Sequence, residues 1–335
     1  MSHRLPIYFL LDCSESMIGP GIESLSQAVD GMLRELRRNP QALETAWISF
    51  LTFAGKAEQQ TPLTALEDVQ PPRLKIAPGT ALAAAVQLTA DAISREVKRS
   101  TPLQKGDWKA LVFIITDGCA TDDCRRIGSL FDPKSCNVYA IGCGADVDYH
   151  QLGQITPNVL KIDEVTPQNF ARLFQWLSIS VQSASVGIAE NEADRLLTNL
   201  PAQVSKICLT KEPRHDGKVR SVFLRIQCSN GAKPYLMRFN TKPNGGGFLA
   251  ASTHILDSEI TVGETNDFPL PSVNAALLEG SVPCPYCKAA SWWCCGKCQA
   301  LNCLSLPWPP SVTCPSCKIT GQLTQREFSV KQRAG

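Results

Sequence analysis

The chain lacks the long apolar runs that a membrane-spanning helix requires. No stretch of its 335 residues approaches the roughly 18 consecutive apolar residues of such a helix. The chain begins at Met1 and runs almost directly into an apolar, strand-like segment, without the pattern of a cleavable signal peptide. We therefore expect a cytoplasmic protein rather than a secreted or membrane-inserted one.

The chain also has little net charge. Its 33 Lys and Arg residues nearly balance its 31 Asp and Glu residues, which gives a formal charge of +2. So small a charge creates no long-range field that would attract a nucleic acid backbone or an anionic membrane. The four histidines show no metal-ligand spacing.

Cysteine, in contrast, is abundant and unevenly distributed. Eight of the 15 cysteines lie between Cys284 and Cys317. In a chain that we expect in a reducing compartment, so dense a cluster indicates bound metal rather than disulfides.

Residues 1–183 alternate between strand-like and helix-like segments. The apolar runs at 7–11, 47–53, 111–115 and 136–141 are typical of strands buried on both faces. The stretches 22–36, 81–97 and 170–181 place apolar residues at helical spacing. This alternation predicts an α/β fold, with a doubly wound, mostly parallel sheet.

The pattern changes after residue 183. Residues 219–226 and 235–239 are typical of half-buried antiparallel strands. We interpret residues 184–280 as a β-rich connector or the first part of a carboxy-terminal domain, and residues 281–335 as a cysteine-rich, zinc-ribbon-like segment.

Carboxylates and hydroxyls follow the predicted strands and precede a predicted helix. Asp12, Ser14 and Ser16 follow the first strand, Asp117 follows the strand at 111–115, and Thr80 precedes the helix at 81–97. In a doubly wound sheet, ligands bind beyond the carboxyl ends of the strands. We therefore expect these five residues, called the rim residues below, to lie together.

The rim residues suit a divalent cation. Two carboxylates balance its charge, and three hydroxyls add neutral oxygen ligands. Mg²⁺ accepts such ligands, and so do Mn²⁺ and Ca²⁺. A remaining ligand position could take a carboxylate from a partner protein. The set contains no evident general base or nucleophile, so we expect no enzymatic activity.

Two other interpretations of the rim residues exist. The hydroxyls could simply cap helices, and Asp117 with Gly118 could form a turn. A haloacid-dehalogenase-like phosphatase also opens with an aspartate after its first strand, but its chemistry needs a second acid two residues on, where this chain has Ser14.

Residues 1–183 resemble a von Willebrand factor A domain with a metal-ion-dependent adhesion site. Asp12, Ser14 and Ser16 match the Asp-x-Ser-x-Ser motif of that family, Thr80 matches its loop threonine, and Asp117 in Thr-Asp-Gly matches its last aspartate. The resemblance implies regulated, metal-dependent protein–protein contact, in which an acidic side chain of the partner completes the metal shell.

The cysteine cluster contains Cys-x-x-Cys pairs, whose thiolates suit tetrahedral Zn²⁺. The first and the last of these pairs predict an outer site made of Cys284, Cys287, Cys314 and Cys317. A second, inner zinc site would use Cys294, Cys295, Cys298 and Cys303, although adjacent residues such as Cys294 and Cys295 rarely both bind one metal. One zinc with unbound inner cysteines remains the alternative.

A von Willebrand A domain followed by a cysteine-rich segment resembles the TerY family of bacterial tellurite-resistance and stress systems. The family is described as carrying eight metal-chelating positions there, which matches the eight clustered cysteines in number. The resemblance implies a non-enzymatic adaptor that acts with a protein kinase and a PP2C-like phosphatase.

The tryptophans of the cysteine-rich segment allow an alternative function. Trp292, Trp293 and Trp308 could stack on nucleic acid bases beside basic residues such as Lys288 and Lys297. With so little net charge, we prefer the interpretation that they pack a small zinc-supported core or contact a partner protein.

Overall fold

The computed structural model divides the chain into two compact units, Met1–Asp216 and Gly217–Gly335. It describes residues 3–101, 105–124, 127–144, 147–162, 166–185, 200–202, 204–207, 221–231, 233–242, 245–256, 272–305, 307–324 and 329–331. The start of the predicted strand at 219–226 lies outside these residues.

The first unit contains seven strands and five helices within its described residues. The strands are β1 (Leu5–Asp12), β2 (Ala46–Phe53), β3 (Ala57–Ala65), β4 (Ala110–Thr116), β5 (Cys136–Cys143), β6 (Val159–Ile162) and β7 (Val204–Lys206). The helices are α1 (Pro20–Arg37), α2 (Pro40–Thr45), α3 (Leu82–Glu96), α4 (Tyr149–Ile155) and α5 (Pro167–Ser185).

The strands form one sheet in the order β3-β2-β1-β4-β5-β6-β7. The five central strands are parallel, and the edge strands β3 and β7 pair antiparallel to them. The α/β fold predicted from the sequence is confirmed. β7 belongs to this sheet although it lies within the predicted 184–280 connector.

Both faces of the sheet are buried because helices pack against them, and successive side chains of the apolar strands point to opposite sides. Phe9 and Phe113 pack on one face with residues of α1 and α5, whereas Leu10 and Val112 pack on the other face with residues of α3. Burial on both faces leaves the carboxyl edge of the sheet as the place where polar loops collect.

The second unit is built from short strands. These are β8 (Ser221–Gln227), β9 (Pro234–Thr241), β10 (Phe248–Ile255), β11 (Ser272–Asn274), β12 (Leu278–Glu279), β13 (Ser291–Cys294), β14 (Leu301–Leu304), β15 (Val312–Thr313), β16 (Thr320–Gly321) and β17 (Ser329–Lys331).

Six of these strands form a sheet in the order β12-β10-β9-β8-β14-β13. Strands β8, β9 and β10 form an antiparallel meander, and the hairpin of β13 and β14 joins it because β14 pairs in parallel with β8. The β-rich stretch and the cysteine-rich segment, which the sequence analysis treats separately, therefore share one sheet.

In the described part of the chain, no helix is both long enough and apolar enough to cross a membrane.

Candidate functional site

Asp12 is held in place at the carboxyl end of β1. Its carboxylate is fully buried, and Oδ1 accepts a hydrogen bond of 2.8 Å from the backbone N–H of Ser14. The hydroxyl of Thr116, at the end of β4, donates to Oδ2. These contacts fix the orientation of the Asp12 carboxylate, the first predicted ligand.

A chain of hydrogen bonds connects the β1 loop to the β4 loop. The hydroxyls of Ser14 and Ser16 lie 2.8 Å apart, and Ser16 Oγ donates to Asp117 Oδ1 at 2.5 Å. The parallel pairing of β1 with β4 explains this proximity, because it places Leu11 opposite Ile115 immediately before the two loops.

Thr80 reaches the same place from the loop before α3. A Cβ atom added at Gly118 would lie 3.3 Å from Ser16 Oγ and 3.7 Å from Thr80 Oγ1, so both hydroxyls converge on this glycine. The Thr80 backbone is fixed by Thr121, whose hydroxyl accepts from Thr80 N–H and whose own N–H donates to the Thr80 carbonyl. The structure thus brings all five rim residues to one edge of the sheet.

Glu15, to which the sequence analysis assigns no role, joins the first loop to the Thr80 loop. Its carboxylate accepts a 2.7 Å hydrogen bond from the N–H of Gly79. Gly79 has a φ of +80°, which favours glycine, and it leaves little room for a side chain beside Gly55. Burial raises the pKa of Glu15, and the Gly79 N–H opposes that rise. Glu15 thus positions the Thr80 loop, a role that becomes visible only when the fold brings the two loops together.

The rim residues fit a hard divalent cation. Burial raises the pKa of Asp12 to about 6, although hydrogen bonds from Ser14 and Thr116 favour its ionised form. A cation would offset the cost of burying this charge. Two carboxylates and three hydroxyls form an all-oxygen donor set of the kind that Mg²⁺, Mn²⁺ and Ca²⁺ accept.

The second unit brings eight cysteines into two groups of four. In each group the sulfur atoms all lie within 4.8 Å of one another. The first cysteine group is Cys228, Cys284, Cys287 and Cys303, and the second cysteine group is Cys295, Cys298, Cys314 and Cys317.

This grouping corrects the partition expected from the sequence. The predicted outer site joins Cys284 and Cys287 to Cys314 and Cys317, but the structure places these two pairs in different groups. The predicted inner cysteines also separate: Cys303 belongs to the first group, Cys295 and Cys298 belong to the second, and Cys294 belongs to neither.

Strand pairing explains why the first group takes Cys228 and Cys303. The register of β14 on β8 places Leu301 opposite Ile226 and Asn302 opposite Gln227, so the next residues, Cys303 and Cys228, are neighbours. The sequence analysis missed Cys228, which lies 56 residues before Cys284 and outside any Cys-x-x-Cys pair. Its one sequence signal is its position two residues after the predicted strand at 219–226.

Three Cys-x-x-Cys turns share one backbone geometry. The N–H of the first cysteine donates to the carbonyl five residues on, at 2.8–2.9 Å, in the turns that start at Cys284, Cys295 and Cys314. The residue after the second cysteine has a positive φ of 60–62° in all three turns: Lys288, Gln299 and Lys318. Such turns point both thiols of a pair to the same side.

Both groups fit Zn²⁺. Zn–S bonds of about 2.3 Å in a tetrahedron place sulfur atoms about 3.8 Å apart. The Cys287–Cys303, Cys295–Cys317 and Cys298–Cys314 sulfur pairs lie 3.4 Å, 3.6 Å and 3.6 Å apart. Four thiolates close the shell of a structural zinc, so these sites would stabilise the fold of the second unit.

Neighbouring donors favour the thiolate form of Cys314. Burial tends to raise the pKa of Cys314, but the N–H groups of Cys317 and Ser316 and the neighbouring thiols lower it to about 6. In the first group, burial raises the pKa of Cys303 to about 12, and the Ser229 N–H, which donates to Cys303 Sγ at 3.1 Å, opposes that rise. Donors of this kind orient and tune metal-bound thiolates.

We predict that Glu15→Ala weakens Mg²⁺ binding by about tenfold or more, because the Thr80 loop loses its link to the β1 loop. Glu15→Gln keeps an oxygen acceptor for Gly79 and should bind nearly normally. Titration calorimetry with Mg²⁺ measures both variants, and Glu23→Ala, at an exposed position of α1, is the control. Equal affinity of Glu15→Ala and the wild type would remove Glu15 from the site.

We predict that elemental analysis of the purified protein finds two zinc ions per chain. Cys228→Ser should lose one of them, because it removes a ligand of the first group, whereas Cys294→Ser should keep both. Protease resistance of the first unit checks that each variant retains its fold there. The opposite pattern, with zinc lost from Cys294→Ser and kept in Cys228→Ser, would restore the partition expected from the sequence.

Comparison with protein-family models identifies one family for the first unit. Residues 7–175 match the model of the von Willebrand factor type A domain. Among curated proteins, none has significant sequence similarity to the chain.

Solved structures with similarity to this chain include three from different sources. Proximal thread matrix protein 1 from the mussel byssus is 17% identical with a TM-score of 0.42, over 54% of this chain and 48% of its own. The ArnB paralog VWA2 from Sulfolobus acidocaldarius is 18% identical with a TM-score of 0.40, over 52% of this chain and 44% of its own. BatB from Bacteroides thetaiotaomicron is 18% identical with a TM-score of 0.38, over 54% of this chain and 99% of its own.

The chain spans about half the length of the first two of these structures. The family match covers half of the chain and includes the Asp12, Ser14, Ser16, Thr80 and Asp117 rim. The chain therefore belongs to the von Willebrand factor type A domain family, whose members serve widely as protein-interaction modules.

Proposed function

We propose that this protein is a non-enzymatic adaptor that captures an acidic side chain of a partner protein through a divalent cation at the rim. The observation that carries the proposal is the continuous set of contacts from Asp12 through Ser14 and Ser16 to Asp117, with Thr80 meeting it at Gly118. Five oxygen-bearing side chains from three loops converge there without a nucleophile–base pair among them.

The bound cation would supply a positive centre with a ligand position for a partner's carboxylate. Asp12 and Asp117 balance its charge, and the three hydroxyls contribute neutral oxygens. Thr116 and the Ser14 N–H hold Asp12, and Glu15 holds the Thr80 loop. This support makes the rim rigid before the partner arrives, so little binding energy is lost in ordering the site.

The second unit supports the more specific assignment. A von Willebrand A domain followed by a unit with two tetrathiolate groups is the combination that resembles the TerY family. On this basis we propose that the partners are a protein kinase and a PP2C-like phosphatase, in a cytoplasmic stress response of the tellurite-resistance type. The zinc ions would be structural, because four thiolates leave no position for a substrate.

We predict that Thr80→Val and Asp117→Ala abolish Mg²⁺-dependent binding to the kinase or the PP2C-like phosphatase, because each removes an oxygen ligand. Thr80→Ser retains the hydroxyl and should bind within a few-fold of wild type. Biolayer interferometry with each purified partner, with and without Mg²⁺, measures the effect, and circular dichroism checks the fold.

Partner binding that is the same with and without Mg²⁺, or unchanged in Thr80→Val, would contradict the role of the rim. Turnover of a phosphoester by the wild-type chain would instead indicate the phosphatase alternative. Binding to single-stranded nucleic acid that falls steeply with salt would indicate the nucleic-acid alternative.

A further inference from the structure

The second unit contains an open groove of about 880 Å³ that the rim mechanism does not use. Three of the chain's six tryptophans line it: Trp292, Trp293 and Trp308. Trp308 is 52% exposed, which is unusual for the largest apolar side chain. Aromatic side chains gathered in a concave surface are typical of binding sites.

The walls of the groove come from elements that the second cysteine group holds together. Trp292 and Trp293 belong to β13, which leads directly into the Cys295–Cys298 turn. The lining also includes Val312 and Ile319, which flank the Cys314–Cys317 turn. Because both turns contribute ligands to one group, metal at that group would fix the width of the groove.

The charge of the groove selects its occupant. Apart from Cys295, a ligand of the second cysteine group, Lys297 is the charged side chain among the described lining residues, and it is exposed. Residues 217–335 carry 12 Lys and Arg against 6 Asp and Glu, and the excess stays positive with two zinc tetrathiolates of about −2 each. A single lysine beside three tryptophans suits one acidic side chain next to bulky apolar ones. A nucleic acid backbone would require several cations along the groove.

We propose that this groove binds a short segment of a partner protein in which aromatic or large aliphatic side chains lie beside an Asp or Glu. The apolar side chains pack against Trp308 and the β13 tryptophans, and the acidic side chain pairs with Lys297. This contact is independent of the cation at the rim, so the chain has two separate surfaces for partner proteins.

Selection of random peptides displayed on phage against the full-length zinc-loaded chain identifies the ligand class. Enriched peptides should combine bulky apolar residues with an acidic residue. A synthetic peptide with one of these sequences should quench the tryptophan fluorescence of the protein when it binds. Trp308→Ala should weaken its binding by about tenfold or more, as expected for an aromatic anchor. Ile255→Ala, at a 60% exposed position of β10 outside the groove, is the control and should bind like wild type.

A charge reversal tests the ion pair. Lys297→Glu should weaken binding of the same peptide by several-fold. A peptide whose acidic residue is replaced by Lys should bind the Lys297→Glu protein with recovered affinity. Lys288→Glu makes the same charge change beside the first Cys-x-x-Cys turn, outside the groove, and should leave binding unchanged. Zinc content shows that each variant keeps both cysteine groups loaded.

Several results would overturn the proposal. The first is that no peptide is enriched more on the wild-type protein than on the Trp308→Ala protein. The second is that the enriched peptides lack an acidic residue, and the third is that the wild type and Lys297→Glu bind the peptide with equal affinity. Displacement of the peptide by single-stranded oligo(dT), with salt-dependent binding of that oligonucleotide, would assign the groove to nucleic acid instead.

Discussion

The parallel pairing of β1 with β4 is the constraint on which the candidate cation site depends. It places Leu11 opposite Ile115, so the loops that follow the two strands leave the sheet at the same edge and Ser16 can donate to Asp117. The register is favoured by packing on each face, where Phe9 lies in one core cluster with Phe113 and Leu10 lies in the other with Val112. A one-residue slip would turn the side chains of a strand to the opposite face of the sheet.

The two units present different donor chemistry to metals. The rim offers carboxylate and hydroxyl oxygens, which suit hard cations such as Mg²⁺, whereas the cysteine groups offer thiolates, which suit Zn²⁺. The difference extends to function. Under the proposed function, the rim would keep a ligand position for a partner's carboxylate, whereas closed tetrathiolate sites would act by holding short strands and turns in place. One chain can therefore combine an exchangeable contact site with a metal-stabilised scaffold.

Local pattern was enough to predict that the rim residues lie together, but not how the cysteines are grouped. Asp12, Thr80 and Asp117 could be predicted because each follows a strand or precedes a helix of recognisable periodicity, and the topology of a parallel sheet brings such positions together. The cysteine partition depends on the register of β14 on β8, a contact between segments about 75 residues apart in the sequence. No local signal indicates that register. The sequence analysis therefore misses Cys228 and expects the Cys284–Cys287 turn to share a metal with the Cys314–Cys317 turn. Glu15 was overlooked for the same reason, since its partner Gly79 lies 64 residues away.

The most direct test of this account is a crystal structure of the full-length chain grown with Mn²⁺, with anomalous difference maps recorded at the manganese and zinc absorption edges. We expect one manganese peak among Asp12, Ser14, Ser16, Thr80 and Asp117, and two zinc peaks, one within each cysteine group. Absence of manganese from the rim, or a single zinc bound by Cys284, Cys287, Cys314 and Cys317, would contradict it.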